Sequence, residues 1–233
     1  MTAGGRGAAR APRAEETSPV SARQATVEDI DAIMRVEEDW PEDQRASRET
    51  MLVRLGKFRE GFWVFEQAGA IIGTLTSCPI RYEPSGQKAF KSWDEVTNRG
   101  ELPDIDLATA NALYLVSGTL KREARGGRTY ALLIETPVAL AERLGLEYVV
   151  AGAKIPGYDA YCRRHGEIDA RDYAFLKLNG SFVDPFLEMY RGYGFTVPDR
   201  DHVVKDFYPD IPSRNYGAIV VRKLDRSGRH DAP

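Results

Sequence analysis

Cysteine and histidine are scarce in this chain, which limits the metal chemistry open to it. Its 233 residues include two cysteines, Cys78 and Cys162, and three histidines. A tetrahedral zinc site needs four such ligands, so these residues could build one only with the help of carboxylates. Cys162 and His165 have a ligand-like spacing, but no second such pair lies near them. We therefore predict no metal and interpret this pair as structural; so few cysteines also fit a reducing cytoplasm.

Long apolar runs and an excess of positive charge are also missing. The sequence has no apolar run of about 18 residues, the length that spans a bilayer, and its first residues lack the apolar core of a secretory signal. The formal net charge is −3, whereas a general nucleic-acid binder presents a positive face. The sequence thus predicts a cytoplasmic protein that makes no membrane contact.

The two ends of the chain differ in composition from its middle. The first residues are rich in Ala, Gly, Arg and Pro and show no apolar periodicity. Such a segment cannot bury enough apolar surface to offset the entropy lost on ordering. We predict disordered tails at 1–21 and 225–233 and one folded domain over 22–224.

The middle of the chain alternates between helical and strand periodicity. Apolar residues at helical spacing predict one helix after Thr26 and a second over 47–58, and a period of two then predicts a hairpin over 62–76. Residues 80–110 and 154–184 are polar and irregular. We interpret both as insertions, the first as a binding loop and the second as a wall of a ligand pocket.

A basic glycine turn follows an apolar strand over 112–120 and precedes a helix over 130–144. A second apolar strand begins near Glu147, and such a strand–helix–strand unit makes a parallel pair. Four cations surround the turn: Lys121, Arg122, Arg125 and Arg128. A strand-to-helix junction directs backbone N–H groups and the positive end of a helix dipole at an anion. The pattern favours an anion site over the alternative, a solvated basic loop.

A tyrosine near the end of a short helix forms a second motif. Tyr190 is followed by Gly194 and Phe195, which begin the next predicted strand. A phenol with an ordinary pKa of about 10 can donate a proton to a strongly basic leaving group. The alternative is an ordinary buried aromatic residue, since the chain has 11 tyrosines.

In this order, the two motifs resemble the site of the GNAT superfamily of acyltransferases, and the likeness covers 22–224. It implies a mixed α/β fold with a mostly antiparallel central sheet, a parallel splayed strand pair and flanking helices. The passages 153–158 and 186–195 are similar to those of a bacterial subgroup with a long insertion after the fifth strand.

The resemblance also implies roles for individual residues. Acetyl-CoA or another acyl-CoA would be the donor, and Tyr190 would protonate the departing thiolate. The pantetheine arm would lie along the strand backbone at Leu115, Val116 and Ser117. The pyrophosphate would lie in the turn formed by Arg125, Gly126, Gly127, Arg128 and Thr129. The chain departs from the family pattern at Arg128, where glycine is expected, and at Tyr130, where glycine or alanine is expected.

A general base is not evident, because the strand over 112–120 carries no glutamate. The acidic candidates elsewhere are Glu38, Asp39, Glu95 and Glu188, and deprotonation through water is an equal alternative. A covalent intermediate is not required, since a positioned amine can attack the acyl carbonyl directly. The expected acceptor is the primary amine of a small molecule.

Two other functions fit the same fold. One is amide formation with aminoacyl-tRNA as the donor, which the altered turn and its cations favour and the acidic composition opposes. The other is a catalytically silent binding domain. A homodimer is compatible with either function.

Overall fold

The computed structural model of the protein describes residues 18–84 and 90–225. Its strands are β1 (Ser21–Gln24), β2 (Phe62–Gln67), β3 (Ala70–Ile80), β4 (Ala112–Leu120), β5 (Tyr148–Lys154), β6 (Lys177–Leu178), β7 (Ser181–Phe182), β8 (Val203–Val204) and β9 (Gly217–Lys223). Its α-helices are α1 (Ile30–Glu37), α2 (Arg48–Phe58), α3 (Trp93–Thr97), α4 (Gly127–Arg143), α5 (Tyr158–His165), α6 (Ala170–Tyr173) and α7 (Pro185–Gly192). Nearly all of both predicted tails, residues 1–17 and 226–233, lies outside the described residues, so the division into tails and domain stays a prediction.

Within the described ranges, one sheet contains seven strands in the order β1-β2-β3-β4-β5-β9-β8. Its ladders are antiparallel except for the parallel pair of β4 with β5. This confirms the predicted fold class, a mixed and mostly antiparallel sheet with one parallel pair, flanked by helices. The strands β6 and β7 form a separate small hairpin.

Helices cover both faces of the sheet, as the alternation along β2 shows. Val64 packs in a cluster with residues of α1 and α2. The next residue, Phe65, packs in a different cluster with Leu132 and Leu133 of α4. Because successive strand residues point to opposite faces, α1 and α2 lie on one face and α4 on the other.

The hairpin of β2 and β3 closes with the turn chemistry that its sequence suggests. Ala68 and Gly69 both have positive φ, 50° and 77°, and two such residues match the twist of a two-residue hairpin. This fixes the register of β3, which in turn pairs with β4 from Gly73 to Ile80.

Three predicted segments differ from the structure. The strand predicted to begin at Gly194 is reduced to an isolated bridge of Thr196 with Val221. The helix predicted over 130–144 begins earlier, at Gly127. Of the two glycines in the turn, only Gly126 has a positive φ, 143°, and the helix starts directly after it. The insertion over 154–184 is not irregular, since it contains α5, α6 and the β6–β7 hairpin. Its assignment to a particular bacterial subgroup stays a prediction.

Candidate active site

The parallel pair of β4 and β5 separates halfway along its length. Their pairing runs from Ala112 with Tyr148 to Leu115 with Ala151 and stops there. Both strands continue, β4 to Leu120 and β5 to Lys154, so a gap opens between them. A gap inside a sheet leaves backbone edges without a strand partner, and such edges can bind an extended ligand.

A bulge marks the point on β4 where the gap begins. Thr76 of β3 pairs with Ser117 and the next residue, Ser77, pairs with Leu115, so Val116 is the extra residue. The indole of Trp93 in α3 donates a hydrogen bond of 2.9 Å to the Val116 carbonyl. Bulges redirect a strand next to functional sites, and here the bulge lies among the predicted pantetheine-binding residues.

Three phenols gather at the narrow end of the gap, around Gly152. A methyl group placed on Gly152 would lie 3.0 Å from the Tyr114 hydroxyl and 2.4 Å from the ring of Phe207. The Tyr208 hydroxyl donates to the Gly152 carbonyl at 3.4 Å. Charge interactions link Tyr208 with both Tyr114 and Tyr190, and burial raises the pKa of all three phenols. Tyr190, the residue predicted as the acid, is therefore close enough to Tyr114 and Tyr208 for charge interaction.

Local structure fixes the position of Tyr190. The carboxylate of Asp184 accepts hydrogen bonds from Phe186 N at 2.9 Å and from Leu187 N at 3.2 Å, which caps the start of α7. Beyond the helix, the Tyr190 ring contacts Phe195 with 5.4 Å between centroids. Burial raises the pKa of Tyr190 to about 12, so the phenol stays protonated through the physiological range.

The glycine turn lies at the open end of the gap, directly after β4. Gly126 needs its positive φ, and α4 starts at Gly127, so the first N–H groups of a 17-residue helix point out of this turn. Arg125 is exposed, but its side chain is engaged: its Nε donates to the Leu120 carbonyl at 3.0 Å, and its guanidinium lies 3.6 Å from Asp39. Arg128 is exposed, and Thr129 is buried within the first turn.

Tyr130, the larger departure from the family pattern, is 36% exposed on the outer part of α4. Its exposure indicates that the ring lies at the surface and is not packed into the interior of the gap. Gly126 and Arg128, which flank the first residue of α4, are also exposed.

A buried carboxylate that sequence analysis did not select lies beside the gap. Glu37 at the end of α1 is 3% exposed. It accepts hydrogen bonds from Ala46 N at 3.1 Å and from the Thr119 hydroxyl of β4 at 3.2 Å. The Trp40 indole donates to the same hydroxyl. Burial raises the pKa of the Glu37 carboxyl.

A lysine at the end of β5 lies near Trp40, whose indole donates to Thr119 of β4. The Lys154 ammonium lies 2.9 Å from Asp210, 5.1 Å from the centroid of the Trp40 ring and 5.7 Å from that of Tyr208. Trp40 therefore bridges the open gap, with its indole nitrogen on β4 and its ring face toward β5.

The acidic residues selected from the sequence lie apart from this arrangement. Glu38 is exposed, and Glu95 is an exposed residue of α3 that accepts a hydrogen bond from Lys91 N at 2.6 Å. Glu188 accepts from Phe182 N and pairs with Arg191. Asp39 lies near Arg125. None of these positions tests a catalytic role, and each assignment stays a prediction.

A concavity lies over the predicted binding loop, and its lining residue Phe90 contacts Tyr114 with 5.7 Å between ring centroids. Its volume is about 710 Å³, and its lining includes Pro79, Phe90, Glu95, Pro103 and Thr109. Within the described ranges, no cluster of three or more His, Cys, Asp or Glu residues could hold a metal ion. None of the helices described combines the length and the apolarity needed to cross a membrane.

Of the residues around Glu37 that sequence analysis did not select, only Glu37 itself has a sequence pattern that indicates its position. Glu37 continues the helical spacing of Ile30 and Ile33, which places a carboxylate on the apolar face of α1. No sequence pattern indicates the contact between Trp40 and Thr119, because 79 residues separate them in the chain.

Comparison with known proteins gives the class of this fold. No protein-family model matches the chain. The chain is 27% identical over 209 residues to an uncharacterized N-acetyltransferase, YkwB of Bacillus subtilis (strain 168), covering 85% of this chain and 86% of that protein. It is also 27% identical over 176 residues to a probable hydrolase, YhcX, of the same organism, covering 75% of this chain. The chain spans 33% of the length of YhcX.

A solved structure, that of the GNAT-like decarboxylase GphF in complex with isobutyryl-CoA, has a TM-score of 0.72 and 26% identity to this chain. The match covers 88% of this chain and 100% of that one. These likenesses agree with the order of strands in the sheet and with the splayed pair of β4 and β5. The chain has the GNAT fold and is similar to GNAT-type enzymes.

Proposed function

We propose that the protein is an N-acyltransferase that moves an acyl group, acetyl in the first instance, from acyl-CoA to the primary amine of a small molecule. The observation that carries the proposal is the gap between β4 and β5, with the start of α4 beside its open end. We assign the narrow end to the Tyr190 phenol, because Tyr190 interacts through charge with Tyr114 and Tyr208. An extended thioester with a phosphate at one end fits this polarity.

The donor is oriented by the two ends of β4. Its pyrophosphate binds the N–H groups that open α4, where the helix dipole favours an anion. Because Arg125 is engaged with Leu120 and Asp39, we assign the side-chain contact with phosphate to the exposed Arg128. The pantetheine arm then follows β4 toward Val116, which brings the thioester to the bulge.

The reaction is a direct attack of the amine on the thioester carbonyl. Holding the two reactants in one gap supplies most of the rate through proximity, and the strand amides at the bulge polarise the carbonyl. A thiol has an ordinary pKa of about 8.5, so complete transfer of a proton from a phenol with a pKa of about 12 is uphill by about 5 kcal/mol. Tyr190 therefore stabilises the departing thiolate mainly as a hydrogen-bond donor.

A turnover assay tests this function. The protein is incubated with acetyl-CoA and a panel of primary amines that includes alkylamines, amino acids and polyamines, and the released CoA thiol is measured. Acylation of at least one amine, confirmed by mass spectrometry, is expected. Binding of acetyl-CoA without acylation of any amine would contradict the proposal. Strongly salt-sensitive binding of aminoacyl-tRNA would instead support the tRNA-dependent alternative.

A second candidate function is decarboxylation of a carboxyacyl-CoA. It is supported by the likeness to a GNAT-like decarboxylase and by the Lys154 ammonium beside the gap. To bind the carboxylate of such an acyl group, the ammonium would exchange or share its present partner, the Asp210 carboxylate at 2.9 Å. Malonyl-CoA converted to acetyl-CoA in the absence of any amine would favour this function over N-acyl transfer.

A further inference from the structure

Glu37 is an unusual carboxylate for a structural role. It is 3% exposed, and in the described part of the chain no lysine, arginine or histidine forms an ion pair with it. The guanidinium of Arg54, the buried cation that interacts with it through charge, is committed to the Gly100 carbonyl at 2.6 Å and the Ser117 hydroxyl at 3.2 Å. Burying a carboxylate without a direct cation is costly, and such groups concentrate at functional sites.

The Thr119 hydroxyl connects this carboxylate to the gap. A hydroxyl has one proton to donate and two lone pairs. Thr119 donates its proton to Glu37 and accepts one from Trp40, so a second lone pair remains. Thr119 is 4% exposed and lies in the part of β4 that β5 does not pair with. A ligand lying along this unpaired edge would pass beside its hydroxyl.

We propose that Glu37 receives, through the Thr119 hydroxyl, the proton that the acceptor amine loses. This proposal rests on the proposed N-acyl transfer. It assigns to Glu37 and Thr119 the role of the general base, for which β4 carries no glutamate. As the nitrogen–carbon bond forms and the carbon–sulfur bond breaks, the N–H proton moves to the Thr119 oxygen and the hydroxyl proton moves to Glu37. The thiolate leaves hydrogen-bonded to Tyr190 and takes a proton from water, and Glu37 returns its proton to water.

Glu37 is a positioning residue under this scheme, since it reaches the amine through Thr119. The groups that face it come from three elements. Arg54 of α2 and Arg45 before that helix lower the pKa of its carboxyl, while burial raises it. Cys78 of β3 lies beside Arg54 and interacts with it. Trp40 holds the hydroxyl in the orientation that the transfer needs.

The pH dependence of turnover tests the relay. We compare kcat/KM of the wild type with that of Glu37→Gln and Thr119→Val, using acetyl-CoA and the amine of the panel that reacts fastest. Because the relay needs the ionised carboxylate, the wild-type rate falls as pH decreases through the pKa of Glu37. Both variants should lose this acidic limb and about 100-fold in rate at neutral pH. Thr119→Ser keeps the hydroxyl and should recover most of the rate and the limb.

Glu42→Gln is the matched control, because it removes an exposed carboxylate a few residues away and should leave rate and pH profile unchanged. Thermal unfolding checks that each variant folds. If Glu37→Gln does not fold, the rate and pH profile of Thr119→Val test the relay instead. A folded Glu37→Gln or Thr119→Val that keeps the wild-type limb and rate overturns the relay but leaves N-acyl transfer intact. Failure of the wild type to bind acetyl-CoA, measured by calorimetry, would instead remove the proposed function itself.

Discussion

Replacing Tyr190 by phenylalanine removes one oxygen from the narrow end of the gap and little else. The ring keeps its contact with Phe195, at 5.4 Å between centroids, so the variant should fold and unfold like the wild type. The hydroxyl acts only when negative charge develops on sulfur. The change should therefore lower kcat and leave the dissociation constant of acetyl-CoA within about twofold.

The size of the effect follows from the setting of the phenol. A hydrogen bond to a charged group contributes about 1.5–3 kcal/mol, which corresponds to about 10- to 150-fold in kcat. A larger loss would need complete proton transfer, which a pKa of about 12 disfavours. For the same reason the wild type should show no alkaline limb from Tyr190 below about pH 11.

Steady-state release of CoA from acetyl-CoA, with the reactive amine saturating, measures this effect. Tyr193→Phe is the matched control, because it removes a hydroxyl from the residue that ends the same helix and should keep kcat. An unchanged kcat in Tyr190→Phe would refute the assigned role. So would a loss confined to the binding of acetyl-CoA.

Three further results are expected. Gly152→Ala forces a methyl group to within 2.4 Å of Phe207 and should lower the free energy of unfolding by about 1–3 kcal/mol in urea titrations. In the control Gly56→Ala, the added methyl group lies on a helix and has no neighbouring atom within 4 Å, so the free energy of unfolding should rise by about 0.5–1 kcal/mol. Because burial raises the pKa of Glu37, this residue contributes stability below its unfolded-state pKa of about 4.3, and that contribution is lost as pH rises through its folded-state pKa. Urea titrations from pH 4 to 8 should therefore show that the free energy of unfolding of the wild type falls relative to that of Glu37→Gln. A difference that does not depend on pH would contradict the burial argument. Arg128→Ala should raise the dissociation constant of acetyl-CoA about tenfold in low salt, and less in high salt where the contact is screened, by calorimetry; equal affinity at both salt concentrations would exclude the assigned phosphate contact.

The strands of this fold were easier to predict than the start of its main helix. The strand over 112–120 has the bounds of β4, because an uninterrupted apolar run is typical of a strand buried on both faces. The helix α4 begins three residues before its predicted start. Two successive glycines indicate a turn, yet only Gly126 has a left-handed φ, and sequence alone does not show which glycine the turn uses.

The candidate site was predictable where it depends on local chemistry. The glycine turn and the Tyr190 motif are local patterns that the sequence shows directly, and the roles assigned to them stay predictions. The group around Glu37 depends on contacts between distant parts of the chain, such as Trp40 with Thr119. Helical spacing could have placed Glu37 on a buried face, but its hydroxyl partner on β4 follows only from the register of the sheet and the bulge at Val116.

Mapping acetyl-CoA onto the backbone amides by NMR tests most directly whether the gap between β4 and β5 holds the acyl donor. One equivalent of acetyl-CoA should bind and shift the amide signals of Val116 to Gly118 and of Gly127 to Thr129. Signals that shift around the concavity beside Glu95, with β4 and the start of α4 unaffected, would contradict the account.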